Sequence, residues 1–227
     1  MLVCLATRRK SLGFLTLMTP ERTLEWDWFP GKVPKNVVLH ETAYLETTYS
    51  FELCRSLEAE AVQIGRGSSI YLGVMFDLGP TAKVNIGQFT LMNGSRIICD
   101  SAIHIGDYCL LSWNTVLMDS YRVPVESPLR RVWLEKVAQR ALGELQPSLP
   151  AKPIHIANNV WIGFDSCVMA GVRIGEGSIV GARSVVVEDV PPFTAVAGNP
   201  ARIIRQLEPG NDRSINELSF GSAEVNK

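Results

Sequence analysis

The sequence predicts an all-β solenoid of about six triangular coils, and three observations predict it. The first is a ladder of apolar residues at every sixth position, unbroken through Ile156, Ile162, Val168, Ile174, Val180 and Val186. A helix repeats every 3.6 residues and a strand every two, so a period of six describes short strands joined by regular corners. The second is the residue two before each ladder position, which is mostly small or β-branched, as in Val62, Ser68, Val84, Thr90, Val160, Ser166, Val172, Ser178 and Ser184. Such residues suit close packing on short strands, and Tyr49 and Arg96 are the exceptions. The third is the glycine that often follows the ladder residue (Gly65, Gly87, Gly106, Gly163, Gly175, Gly181), where a corner can need positive φ.

Read backwards, the ladder continues as Leu39, Leu45, Phe51; Ile64, Ile70, Phe76; Ile86, Met92, Ile98; and Ile105, Leu111, Leu117. The steps between triplets are thirteen, ten, seven, thirty-nine and six residues, so every insertion falls at one corner of the prism. Each coil buries its apolar face only against its neighbours, the logic of a repeat protein.

Taken in order, residues 1–36 form a non-repeating lead-in, with Trp26, Trp28 and Phe29 placed to cover the open end of the first coil. The repeat domain spans 37–207. Its largest insertion, 119–153, contains Ser127-Pro128, which reads as an N-cap followed by a first-turn proline. An apolar stripe follows at helical spacing: Leu129, Val132, Trp133, Val137, Ala141, Leu142 and Leu145. This helix packs on the solenoid or on a partner, or it acts as a lid, and the two readings are compatible. After the last coil, Asn199-Pro200 predicts a short helix over 200–207. Residues 208–227 are polar and aperiodic and read as a flexible tail.

Composition narrows the function classes. A 227-residue chain with 46% hydrophobic residues can bury one large core, and a net charge of −1 favours neither nucleic acid nor an anionic membrane. The five cysteines show no metal spacing; Cys99, Cys109 and Cys167 read as small buried hydrophobes. No apolar run is long enough to span a bilayer, and Arg8-Arg9-Lys10 interrupt the apolar N-terminus where a secretory signal would carry its charges first. Cytoplasm is the expected compartment.

The segments Asn159-Val-Trp-Ile-Gly163, Ile179-Val-Gly-Ala-Arg-Ser184, Val190-Pro-Pro192 and Gly198-Asn-Pro-Ala-Arg202 resemble the hexapeptide-repeat acyltransferases. The branch they look like is the sugar, xenobiotic and capsular-polysaccharide O-acetyltransferases. The resemblance implies a left-handed parallel β-helix, a homotrimer, and acetyl-CoA as acyl donor in a groove between subunits. It implies transfer to a hydroxyl of a sugar, glycan or similar small acceptor. It also places the cofactor on Gly163, on Ala182 beside the pantetheine arm, and on Arg202 and Arg205 near the nucleotide phosphates, where guanidinium groups make charge-assisted hydrogen bonds. Arg202 and Arg205 equally fit a solvated face of a last helix. Where the family often carries a hydroxyl residue and then lysine, this chain has Val187-Glu188.

Acyl transfer to an alcohol needs a general base, and in this family a loop histidine supplies it. Here that loop reads Val116-Leu-Met-Asp-Ser-Tyr-Arg-Val-Pro124, so Arg122 or Val123 stands in the histidine's place. The chain has three histidines. His40 lies in the first coil, remote from the excursion, whereas His104 and His155 precede equivalent ladder residues one coil apart. They should stack at about 4.8 Å. They read either as outward members of a polar row with Gln63, Asn85 and Arg173, or as a relocated base or weak metal site. Three histidines arranged for a metal centre are not found, so no metal is assigned. Asp119 is a further catalytic candidate, able to orient a histidine or bind a sugar hydroxyl, and Tyr121 lies nearby. Asp100 matches an acceptor-side carboxylate only loosely. A degenerate relative that keeps the scaffold as a binding or structural partner is the alternative, and transfer to an amine is a third possibility.

Overall fold

The computed structural model describes residues 18–139 and 150–209, and they form a left-handed parallel β-helix of triangular cross-section. The first face stacks six strands, Val37–Leu39, Val62–Ile64, Lys83–Ile86, Ala102–Ile105, Ile154–Ile156 and Arg173–Ile174. The second face carries eight, from Tyr44–Leu45 to Thr194–Gly198 and Ala201–Gln206, and the third carries five, from Met75–Leu78 to Val185–Val186. All pairings are parallel except the last, between Thr194–Gly198 and Ala201–Gln206. Such short strands hold because each backbone group bonds to the coil above or below, and each ladder side chain stacks into one column of core. Leu45, Ile70, Met92, Leu111 and Ile162 are all fully buried on the second face.

The expected ladder holds except at one position. On the third face Phe76 pairs with Ile97, and Leu117 also pairs with Ile97. Ile97 is fully buried, while Ile98 is half-buried and points outward. The corner Asn93-Gly94-Ser95 is one residue short, so the third coil steps five rather than six. This shift also removes the Arg96 exception, because the residue two before Ile97 is Ser95, which is fully buried.

The glycines after the ladder positions are there for a different reason than positive φ. None of the six has positive φ; Gly67, Gly177 and non-glycine residues such as Phe89 and Asn159 take those conformations. The six are squeezed against the next coil instead. A Cβ on Gly65 would come within 2.5 Å of the Gly87 carbonyl oxygen, and one on Gly163 within 2.6 Å of the Ala182 backbone nitrogen.

The short helix expected over 200–207 is a strand, Ala201–Gln206, which turns back through Asn199-Pro200 and pairs antiparallel with Thr194–Gly198. Gly198, at φ 103°, makes the reversal possible. Strand pairing wins because Thr194–Gly198 would otherwise leave a row of unsatisfied backbone groups, whereas a helix here would leave that row open. Before this hairpin, Val190 and Val196 are buried at the first two faces, beginning a seventh coil that is not completed.

At the other end, Leu24 and Val33 are buried in the core and Trp26 packs beside it, donating from its indole N–H to the Glu46 carbonyl at 3.2 Å. Trp28, by contrast, is largely exposed. Asp27 fastens this segment, accepting from the Thr47 hydroxyl at 2.7 Å, the Thr48 N–H at 2.6 Å and the Thr48 hydroxyl at 2.5 Å. Within the excursion a helix covers Ser127–Ala138, with Glu126 rather than Ser127 at the N-cap and no residue buried. Leu129, Val132 and Leu134 are exposed, whereas Trp133 and Val137 of the expected stripe are partly buried. Ala141, Leu142 and Leu145 lie outside the described residues, as does the tail from 210 onward. Among the described residues no helix is long and apolar enough to cross a membrane.

Candidate functional site

Asp77, Asp100, Asp119 and Arg122 gather where the third face turns into the first, the corner that takes nearly all the insertions. Arg122 is, with Val123, one of the two residues the resemblance sets in the place of the catalytic base. Its guanidinium holds Asp100 through Nε at 3.0 and 2.9 Å and Asp77 through Nη1 at 2.5 Å. It also donates to the Asp77 and Cys99 carbonyls at 2.8 and 3.1 Å. Burial alone would lower its pKa, but the two carboxylates outweigh that and hold it above the ordinary arginine value. A residue so engaged remains a cation and accepts no proton. Five hydrogen bonds also offset the cost of keeping a non-glycine residue at φ 53°. Asp77 is further flanked by Arg55 at 3.0 Å and Arg96 at 3.7 Å.

Asp119 does not face an open site. It is fully buried, and its carboxylate accepts from the Asp100 and Ser101 N–H groups, each at 2.8 Å, and from the Cys99 thiol at 3.2 Å. Burial pushes its pKa above the ordinary aspartate value despite those bonds, and burial, then the nearness of Asp119, drives the Cys99 thiol far up. Asp119 therefore builds the corner from which the excursion leaves; orienting a histidine or binding a sugar hydroxyl is not open to it. The sequence reading missed Asp77. Counting residues past each third-face ladder position would have grouped Asp77, Asp100 and Asp119, because all three follow that ladder within a few residues.

His104 and His155 sit on the outer side of the first face in direct register, their rings stacked at 4.9 Å between centroids and 12° between planes. The polar row is as expected: Gln63, Asn85, His104, His155 and Arg173 are successive partners. Beside the histidines opens a shallow cavity of about 490 Å³, bounded by Arg173, Asp189, Val190, Pro191 and Pro192. Burial, then the Arg173 charge, then His104 itself hold the His155 pKa below the ordinary imidazole value. His155 is therefore neutral, and able to accept a proton, at neutral pH. His40 is exposed, and among the described residues its ring hydrogen-bonds to its neighbour Thr42.

Gly163 and Ala182 stack at the corner between the second and third faces, with Ala182 exposed. Above them the same corner carries exposed apolar side chains, Leu72, Trp113 (57% exposed) and Phe164 (46%), so the alanine leaves a trough where bulkier residues stand elsewhere. Arg202 is opposite Ala197 on the final hairpin, one coil past Gly181 and Ala182, and Arg205 is opposite Ala195. Both arginines are exposed; Arg202 approaches Glu188 at 3.4 Å. They thus lie on a strand, not on the helix face that offered the bland explanation for them. The structure brings Gly163, Ala182 and Arg202 to one end of one corner. It does not bring them to the histidines. In a triangular prism that corner is opposite the first face, so no single chain can place His104 or His155 beside Ala182. Among the described residues no three His, Cys, Asp or Glu side chains are placed to hold a metal ion together.

Comparison with known proteins gives a consistent picture. Residues 153–187 match the family described as "Bacterial transferase hexapeptide (six repeats)". Galactoside O-acetyltransferase from Escherichia coli (strain K12) is 36% identical over 118 residues, covering 50% of this chain and 57% of that protein. Among solved structures, the polySia-specific acetyltransferase NeuO superimposes with a TM-score of 0.51 at 30% identity, over 67% of this chain and 65% of that one. The hexapeptide-repeat acetyltransferase VCA0836 from Vibrio cholerae O1 biovar eltor, complexed with acetyl coenzyme A, gives 0.53 at 28% identity, over 71% and 84%. The chain thus spans little more than half the length of its E. coli relative.

Proposed function

We propose that this chain, a hexapeptide-repeat protein of the left-handed β-helix type, is an acyltransferase that moves an acetyl group from acetyl-CoA to a hydroxyl of a sugar or glycan, at a site shared between copies. The observation that carries the reading is the trough at Gly163 and Ala182, within the repeat stretch 153–187 and leading to Arg202. A thin pantetheine arm fits beside an alanine flanked by apolar side chains, and phosphates suit the guanidinium groups beyond it.

In the reaction, the acceptor oxygen attacks the thioester carbon, its proton passes to a base, and the carbon–sulfur bond breaks to release CoA as the thiol. The neutral imidazole of His155, stacked on His104, is the group here best suited to take that proton. Because it lies on the face opposite the trough, the base and the thioester come from different copies. The homotrimer implied by the resemblance supplies such a neighbour, and the outward apolar residues Leu129 and Val132 of the excursion helix offer it a surface.

The test is thiol release from acetyl-CoA with a panel of sugars, alongside calorimetric titration of CoA. Acceptor-dependent release is expected, with Arg202→Ala and Arg205→Ala raising KM for acetyl-CoA about tenfold, as loss of a charge-assisted phosphate contact would. Retained CoA binding without release would favour the second reading, a scaffold that has lost transfer activity. The locked Arg122 and the aliphatic Val123, one of which takes the place of the family's base under the resemblance, are the observation on that side. Neither binding nor release would overturn both.

A further inference from the structure

The polar row on the first face is satisfied along one part and open along the rest. Asn85 donates to Gln63 at 3.0 Å, and Gln63 donates to Glu60 at 2.7 Å. Beyond them, the ring nitrogens of His104 and His155 and the guanidinium of Arg173 hydrogen-bond to no described residue. These three side chains are successive register partners on flat strands, so they project to the same side at intervals of about 4.8 Å. They do so at a cavity whose other walls are the Asp189 carboxylate and the apolar Ile156, Val190, Pro191 and Pro192.

We propose that this cavity is a binding site for the carboxylate of an acidic sugar, with Arg173 as the anchor and the paired imidazoles beside it. Arg173 presents a planar fork of donors suited to a carboxylate, and no described residue occupies it. Burial first, then the Arg173 charge and His104, disfavours a proton on His155, and a bound anion offsets the part that comes from charge. Asp189 sets the limit on charge. It is the next outward residue after Arg173, and one of its carboxylate oxygens accepts from the Arg173 backbone N–H at 2.8 Å without pairing with the guanidinium. One cation and one carboxylate beside the stacked imidazoles suit a single negative charge better than a polyphosphate. The second Asp189 oxygen can accept from a hydroxyl beside the bound carboxylate. Pro191 and Pro192 supply a flat apolar wall against which a pyranose ring can lie.

The inference names the acceptor class for the transfer reaction above and rests on that reading only for this purpose; anion binding itself needs no catalysis. The experiment follows the ring signals of His104 and His155 by NMR in the full chain at constant ionic strength while glucuronate, glucose or inorganic phosphate is added. Saturable shifts of both histidines with glucuronate are expected, at least tenfold tighter than with glucose or phosphate. Arg173→Ala should weaken glucuronate at least tenfold, and Asp189→Asn, which removes a repelling charge, should tighten it. No shift with glucuronate overturns the proposal. So does equal binding of glucose or phosphate, or an unchanged titration in Arg173→Ala whose histidine stack is intact. Failure of acyl transfer in the thiol assay, with these shifts present, would count against the enzyme and not against the site.

Discussion

Alanine substitution at two adjacent isoleucines separates the register of the third coil from the one a strict six-residue count implies. Ile97 is fully buried between Phe76 and Leu117, whereas Ile98 points outward beside Asp77 and Met118. Ile97→Ala deletes three carbons from a closed column, about 2.4 kcal/mol at roughly 0.8 kcal/mol each. The void adds about 24 cal/mol per Å³, so a hole of a few tens of Å³ brings the loss to about 3–4 kcal/mol. Ile98→Ala removes the same atoms from a half-exposed position and should cost about 1 kcal/mol. With a urea dependence of about 2 kcal/mol/M, the midpoint falls by roughly 1.5–2 M for the first variant and about 0.5 M for the second. Urea unfolding read by both tryptophan fluorescence and circular dichroism, with oligomeric state held constant, measures the pair. Equal losses, or a larger one at Ile98, would refute the corrected register.

Two further outcomes follow from the packing. Gly163→Ala should destabilise by at least about 2 kcal/mol because its Cβ meets the Ala182 backbone, while Ala182→Gly costs under about 1 kcal/mol; equal midpoints would show that the coils are not in the contact described. Burial alone would raise the Asp27 pKa, but hydrogen bonds from the Thr48 hydroxyl and N–H, the Thr47 hydroxyl and the Phe29 N–H bring it below 3.8. The unfolded chain therefore binds that proton more readily, so the contribution is complete above pH 3.8 and disappears as pH falls through the lowered value. Asp27→Asn should cost about 1–2 kcal/mol at pH 7 and progressively less as pH falls through the lowered value, by thermal unfolding; a pH-independent difference would contradict it.

Much of this architecture is legible in the bare sequence because a solenoid core is one-dimensional. Each column repeats one kind of residue, so Ile162 or Val180 announces its place by spacing alone, and the same count put His104 directly beneath His155. The readings that failed depend on local competition that spacing does not carry. A corner one residue short moved the core from Ile98 to Ile97. Asn199-Pro200 suits a helix start and a hairpin turn alike, and the open row of Thr194–Gly198 decided between them. Asp119 read as a catalytic candidate beside the excursion, but only the fold shows the two backbone N–H groups that enclose it. At the site, the trough residues followed from the resemblance. Their separation from the histidines did not, because it is a property of the cross-section rather than of any motif.

The reversal of the last strand bears on how the molecule behaves at high concentration. A ladder of parallel coils ends in a surface that matches the beginning of an identical ladder, which is an invitation to end-to-end polymerisation. On the eight-stranded face, Ala201–Gln206 runs the wrong way for an incoming parallel neighbour and offers Arg202 and Arg205 to it. Fibril growth through that edge is discouraged by direction and by charge together.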